Sequence, residues 1–103
     1  MAELLEVDPF GGKTIFAFDG RVLEIFGKVA LISGVNDACR IHAKQLTVKV
    51  SGPDKNQLYD VEFVGPTEFS RRYRGLDGSM WNTLQPLVAA LQSGGATVEG
   101  PAA

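Results

Sequence analysis

The sequence contains little of the chemistry from which active sites and metal centres are usually built. One cysteine, Cys39, and one histidine, His42, occur among its 103 residues. A single thiol cannot form an internal disulfide and fits a reducing compartment, so we expect a cytoplasmic protein. Cys-x-x-Cys and His-Glu-x-x-His spacings are absent, and the sequence carries no recognisable catalytic or cofactor motif. We therefore expect no enzymatic activity, no cofactor and no bound metal.

Cys39 and His42 do not form a catalytic pair in this reading of the sequence. They lie three residues apart in a segment that alternates apolar and polar residues, as a half-buried strand does. At that spacing their side chains point to opposite faces of a sheet. We interpret Cys39 as a small buried apolar residue and His42 as a surface residue. A small hydrolase that uses His42 is kept only as an alternative.

A strong excess of one charge and long apolar runs are also missing. The net charge is −2 and the pI is near 5.3, which gives no general attraction to nucleic acid or anionic membranes. No apolar run approaches the ~20 residues of a membrane-spanning helix. Residues 1–10 lack the basic and apolar regions of a secretory signal. Hydrophobic residues make up 45% of the chain, which predicts one domain with a packed core.

Short strand-like segments separated by turn-forming residues occupy most of the chain. The predicted strands cover residues 14–18, 21–26, 29–33, 38–42, 46–50, 57–64 and 67–74. Asp19-Gly20 predicts a tight hairpin between the first two. The apolar positions shift from odd to even numbers near 43–45, which predicts a corner there. The segment 67–74 alternates aromatic and charged residues and predicts a last, exposed edge strand.

One amphipathic helix follows the strands and is predicted over residues 79–92. Its buried face is predicted from four apolar residues at helical spacing, Trp81, Leu84, Val88 and Leu91, and Leu87 widens that face. Asp77 or Ser79 can cap its start. Pro86 would remove a hydrogen bond from a helix interior. Either the helix kinks at Pro86, or its regular part begins near Thr83 with Pro86 in the first turn.

The order of many strands and then one helix predicts a mainly β fold with one C-terminal α-helix. Within that order, the Phe-Asp-Gly hairpin and apolar strand at 18–25, the basic and apolar segment at 39–42, and the aromatic-led helix at 81–91 resemble short bacterial pleckstrin-homology-like (PH-like) domains. The resemblance implies a strongly bent antiparallel sheet or barrel capped by the helix. Another small β-barrel or an α+β roll is the alternative.

The resemblance also carries expectations about domain limits and function. It covers residues 13–93, with a lead-in at 1–12 and a disordered tail at 94–103. It implies a non-enzymatic binding or self-assembly module, since PH-like domains are mostly adaptors and the bacterial ones are often oligomeric. Members that bind phosphoinositides have a long basic first loop, whereas the turn here is short and acidic. We therefore expect a protein or peptide partner or self-association, and neither membrane lipid nor nucleic acid.

Positive charge and aromatic groups are concentrated in the predicted last strand. The candidate binding residues are Phe69, Arg71, Arg72, Tyr73 and Arg74. Arginine beside aromatic residues is typical of interface hot spots and of single-strand nucleic-acid surfaces. The alternative function is therefore binding of an anionic ligand, either nucleic acid or a lipid headgroup. We favour an edge strand that charge protects from aggregation.

A second set of basic residues is interpreted as solvated surface. It comprises Arg40, His42, Lys44 and Lys49.

Overall fold

Eight strands, one α-helix and one 3-10 turn occur in the residues that the structure, a computed structural model, describes: 4–10, 14–28 and 36–100. The strands are β1 (Leu5–Val7), β2 (Thr14–Phe18), β3 (Val22–Lys28), β4 (Asn36–His42), β5 (Thr47–Ser51), β6 (Tyr59–Val64), β7 (Ser70–Leu76) and β8 (Thr97–Glu99). The helix, α1, covers Gly78–Ser93, and the 3-10 turn covers Ala43–Gln45. The mainly β class with one helix near the C-terminus is confirmed. The strand predicted over 29–33 lies outside the described residues.

The strands form two four-stranded sheets. The N-terminal sheet has the order β1-β2-β3-β4, and the C-terminal sheet has the order β7-β6-β5-β8. Neighbouring strands are antiparallel except β5 and β8, which are parallel. In the described parts of the chain the two sheets do not close into a barrel. The expected barrel is therefore corrected to two sheets, and the expected antiparallel pairing has one exception among the described strands, β5 with β8.

Both terminal segments contribute strands that the sequence did not predict. β1 lies in the expected lead-in and pairs with β2. β8 lies in the expected disordered tail, where Ala96 is 6% exposed and the Thr97 N–H donates to the Leu46 carbonyl at 3.0 Å. A strand of three residues is too short to show a period-two pattern, so its partner strand determines its structure.

The predicted hairpin between β2 and β3 is confirmed. Its register places Gly20-Arg21 at the centre of the loop, one residue later than predicted. Gly20 has φ 99°, in the left-handed region that glycine adopts without a steric penalty. The Asp19 carboxylate accepts the backbone N–H groups of Arg21 and Val22, each at 2.8 Å. These bonds, Val22 first, hold the pKa of Asp19 below its ordinary value.

The predicted corner at 43–45 is the 3-10 turn, where the chain passes from the N-terminal to the C-terminal sheet. The His42 side chain caps it, because Nδ1 accepts the Lys44 backbone N–H at 3.2 Å. The Ala43 N–H donates to the Arg21 carbonyl at 2.8 Å, which ties the corner to the hairpin loop. The odd-to-even shift of apolar positions therefore marks the residues at which the chain changes sheet.

Helix α1 begins one residue earlier and ends one residue later than predicted. Asp77 is its N-cap, since its side chain accepts the Met80 N–H at 2.9 Å. Pro86 lies in the helix interior and is exposed, so the interpretation that places it in the first turn is wrong. The predicted buried face is confirmed, since Trp81, Leu84, Leu87, Val88 and Leu91 are all buried.

One hydrophobic core lies between the two sheets and α1. The inner faces supply most of its large side chains, including Phe16, Leu23 and Ile25 from the N-terminal sheet and Val48, Val61 and Phe63 from the C-terminal sheet. The rings of Phe16 and Phe63 are 5.4 Å apart and join the two sheets directly.

Helix α1 contacts β1 and β2 of one sheet and β7 and β8 of the other. Trp81 is 5% exposed and stacks on Tyr59, with ring centroids 5.1 Å apart. Within the described residues, no helix has the length and apolar character that crossing a membrane requires.

Candidate functional site

The five candidate residues around β7 do not share one surface. β7 is an edge strand, as predicted, because β6 is its only partner among the described strands. Its side chains alternate, so that Arg71 and Tyr73 are half-buried on the inner side, whereas Arg72 and Arg74 are exposed on the outer side. Phe69, just before the strand, packs against the core. The sequence placed these residues correctly on an edge strand and indicated that they alternate between its two faces, but it could not show which face packs against the core.

Tyr73 contributes to the packing between the sheets. Its ring stacks on Phe10, with centroids 5.4 Å apart, and meets Phe16 and Phe63 edge-on at 5.4 and 6.0 Å. These contacts join β7 to the segment after β1 and to both inner faces. These contacts make Tyr73 a structural residue, and its ring is therefore not available to stack on a ligand.

Arg71 lies beside this aromatic cluster. Its guanidinium carbon is 5.6 Å from the centre of the Phe69 ring, within the range of a cation–π contact. Its Nη1 also donates to the Ser70 carbonyl at 3.2 Å. Arg71 is thus held against the protein by contacts with its own strand.

Arg72 is paired on the outer side of β7. Its Nη2 lies 3.3 Å from Oδ2 of Asp60, on the neighbouring strand. The other oxygen of Asp60 accepts the Gly75 backbone N–H at 3.2 Å. The pairing of β6 and β7 shifts register here, so that Arg74 and Gly75 lie together opposite Asp60, and Gly75 has φ 71°. One carboxylate therefore neutralises Arg72 and also stabilises this β-bulge.

The outer face of the C-terminal sheet carries balanced charge. Its charged residues in the described chain are Lys49, Arg72, Arg74, Asp60, Glu62 and Glu99, which gives three cations and three carboxylates. Glu62 also accepts the Ser70 hydroxyl at 3.0 Å. A shallow cavity of about 140 Å³ between β5, β6 and β7 is lined by both signs of charge. The arrangement does not concentrate the positive potential that an anionic ligand requires.

The second basic set is also dispersed. Arg40 lies on the N-terminal sheet and pairs with Glu24 at 3.2 Å, and His42 caps the corner. Lys44 is in the corner and Lys49 is on the C-terminal sheet. Both lysines are exposed, as expected of solvated surface.

Cys39 packs against the core, whereas His42 faces the opposite side of β4 and accepts a backbone hydrogen bond. Their separation by strand alternation is as the sequence predicts. In residues 4–10, 14–28 and 36–100, no group of three or more His, Cys, Asp or Glu side chains is placed to hold a metal ion.

The sequence reasoning missed the outer face of the N-terminal sheet. Its apolar residues are Ile15, Ala17, Val22 and Phe26, with Leu4 just before β1. Ala17 is buried, at 6% exposed, whereas Leu4, Ile15, Val22 and Phe26 lie outside the core cluster of the described residues and are not packed against it. Leu4 is 60% exposed and Phe26 39%, and they are the exposed large hydrophobic residues among those described. The sequence does contain a signal for this face. β2 and β3 carry apolar residues on both of their faces, whereas a strand with one face in solvent usually alternates apolar and polar residues.

The charges on this outer face are ordered across the sheet. The register places Glu6, Ala17, Glu24 and Arg40 in one row across β1, β2, β3 and β4. Ile15 and Phe26 are directly paired in a neighbouring row. The face thus has a carboxylate at its β1 edge, an Arg40–Glu24 ion pair towards its β4 edge, and apolar groups in the neighbouring row.

No protein-family model matches the chain, and no curated protein or solved structure matches it significantly.

Proposed function

We propose that this protein is a non-enzymatic binding or self-assembly module with a PH-like fold, and that its binding surface is the outer face of the N-terminal sheet. The observation that carries the proposal is the position of the apolar groups. Ile15, Val22 and Phe26 lie on this face and do not pack against the core. Apolar surface that folding does not use marks interaction sites when it is contiguous.

The PH-like assignment is supported by the arrangement of elements. A tight hairpin precedes a corner that joins the two sheets, and α1 contacts strands of both. The strand β8 and the open sheets are departures from the expected form. A fold of this class hosts many functions, so the function is argued from the surface and not from the fold.

The anionic-ligand alternative stays a prediction with weaker support. Arg72 is neutralised by Asp60, and Arg71 faces the other side of the strand. Binding of nucleic acid or lipid headgroups through this strand would weaken steeply with salt. Titration of the protein with single-stranded DNA and with anionic vesicles at low ionic strength tests it directly.

A matched pair of substitutions tests the proposed surface. Phe26→Thr removes an apolar group from the outer face of the N-terminal sheet, and Val64→Thr does the same on the outer face of the C-terminal sheet. Association is measured by light scattering, and partner capture by chemical cross-linking. We expect Phe26→Thr to reduce association or capture and Val64→Thr to leave both unchanged. Identical behaviour of the two variants and the wild type would overturn the proposal.

A further inference from the structure

We infer that the outer face of the N-terminal sheet binds the same face of a second copy, in a two-fold dimer whose axis runs parallel to the strands between β2 and β3. This inference rests on the proposed function and names the partner of that surface. It follows from the way in which charge and apolar groups are ordered across the four strands.

The cross-strand row supplies the charge complementarity. Glu6 lies on the edge strand β1, and Arg40 lies on the edge strand β4 at the other end of the same row. Glu6 is exposed, and 75% of the Arg40 side chain is exposed although it pairs with Glu24. With neighbouring strands ~4.8 Å apart, the backbone positions of Glu6 and Arg40 are separated by about 14 Å within one copy.

Two kinds of two-fold axis can stack such a face on itself. An axis perpendicular to the strands places each strand opposite its own copy, so Arg40 faces Arg40 and Glu6 faces Glu6. An axis parallel to the strands reverses the strand order, so β1 of one copy lies over β4 of the other. Arg40 then faces Glu6 twice by symmetry, and like charges no longer meet. The charges therefore select the parallel axis.

The same axis also brings together residues of the two central strands. It places Phe26 of one copy over Ile15 of the other, since these residues are paired on β3 and β2. Glu24 of one copy comes to lie over Ala17 of the other, a small residue that is already buried at 6% exposed. Stacked sheets are ~10 Å apart, the distance at which such side chains meet.

The size of the face sets the expected affinity. Four strands by about five residues give roughly 300 Å² of flat area per copy, below the ~800 Å² per partner of a standard complex. We therefore expect a weak dimer that forms with rising concentration. Sedimentation velocity and light scattering from the micromolar to the millimolar range measure it.

Charge exchange tests the pairing. Glu6→Arg and Arg40→Glu each turn two attractive contacts into repulsive ones and should weaken the dimer on the order of tenfold or more. The double variant Glu6→Arg/Arg40→Glu restores opposite charges between the copies and should recover association relative to Arg40→Glu, since both variants lack the Arg40–Glu24 pair within each copy. Thermal unfolding of each variant checks that the fold is retained. A double variant as weak as the single variants overturns the pairing.

Cross-linking supplies a second measurement. On a Cys39→Ala background, Glu6→Cys/Arg40→Cys is treated with a bismaleimide shorter than the ~14 Å between these positions in one copy. Such a reagent can join them only between copies, and we expect covalent dimers. Arg40→Cys alone should give none, because dimers from that variant would indicate the perpendicular axis.

The outcomes separate this inference from the proposed function. A wild-type protein that stays monomeric to millimolar concentration, yet captures another protein in a manner that depends on Phe26, overturns the dimer and leaves the binding module standing. If Phe26→Thr changes neither self-association nor the capture of another protein, both the proposed surface and the dimer are overturned.

Discussion

The two sheets are alike on their inner faces and different on their outer faces. Both inner faces carry aromatic and branched aliphatic side chains that share one core. On the outer face of the C-terminal sheet, Asp60 and Glu62 hold partners on the neighbouring strand. On the outer face of the N-terminal sheet, Phe26 is 39% exposed and Ile15 is half-buried, and neither packs against the described core. Folding therefore accounts for three of these faces, and the fourth requires an explanation outside the fold.

The largest expected effect comes from the interior that both sheets share. Trp81 is 5% exposed and stacks on Tyr59, so Trp81→Ala leaves a cavity beneath the helix. We expect it to reduce the free energy of unfolding by ~3 to 5 kcal/mol, measured by urea denaturation followed by circular dichroism. Asn82→Ala, on the exposed side of α1, is the control and should change stability by less than ~0.5 kcal/mol. A near-neutral Trp81→Ala would mean that the helix does not hold the sheets together.

The next effect tests how the N-terminal sheet meets the end of α1. A methyl group on Gly94 would lie 2.7 Å from Cζ of Phe18 and 3.0 Å from the Gly20 carbonyl oxygen, in the β2–β3 hairpin. Because Phe18 is buried and the second atom belongs to the backbone, Gly94→Ala should cost ~1 to 3 kcal/mol. Gly78→Ala is the control, since an added Cβ there meets nothing within 4 Å. Equal stability of the two variants would contradict this close approach.

A smaller loss of stability is expected when an ion pair on the outer face of either sheet is removed. Asp60→Ala removes both the partner of Arg72 and the acceptor of the Gly75 N–H, so we expect a loss of about 1 kcal/mol. Glu24→Ala removes only the partner of the largely exposed Arg40 and should cost less than ~0.5 kcal/mol. Asp60→Asn keeps an acceptor for Gly75 and should fall between them. If Glu24→Ala were the more costly change, the outer faces would not differ as described.

The sequence predicts the parts of this fold that repeat a pattern over several residues. Among the described residues, the alternation of apolar and polar residues predicted the strands β2 to β7. Helical spacing predicted the buried side of α1, including Trp81. The shift of the apolar positions from odd to even numbers predicted the corner at 43–45. β1 and β8 carry too few residues for a pattern, and their pairing depends on strands far away in the chain. These are non-local contacts that no short segment encodes.

The arrangement of the candidate site likewise depends on contacts between residues that are far apart in the sequence. Alternation indicated that Arg71 and Arg72 point to opposite sides of β7, but not which side the core occupies. Asp60, which neutralises Arg72, is twelve residues away in sequence and becomes its neighbour only through the register of β6 and β7. The row from Glu6 to Arg40 likewise exists only once four strands are aligned.

The smallest effect concerns the hairpin at the end of the N-terminal sheet. Two backbone N–H groups, those of Val22 and Arg21, stabilise the charged form of Asp19 and lower its pKa from the ordinary 3.8. A carboxyl whose pKa is lower in the folded state stabilises the fold above its unfolded pKa, and that contribution is lost as the pH falls through the folded pKa. The loss is therefore expected below about pH 3.8, and not near neutrality.

An NMR titration of the Arg21 and Val22 amides measures this directly, since both signals should move with the Asp19 carboxyl at a midpoint below 3.8. Asp19→Asn keeps an acceptor but has no charge to lose, so it should remove the acid-induced shift of both amides while leaving the β2–β3 pairing intact at neutral pH. Because Asp19 is exposed, the accompanying change in stability should be the least of the four. A midpoint at or above the ordinary value would show that the carboxylate does not hold the turn, and the turn geometry would then have to come from Gly20 alone.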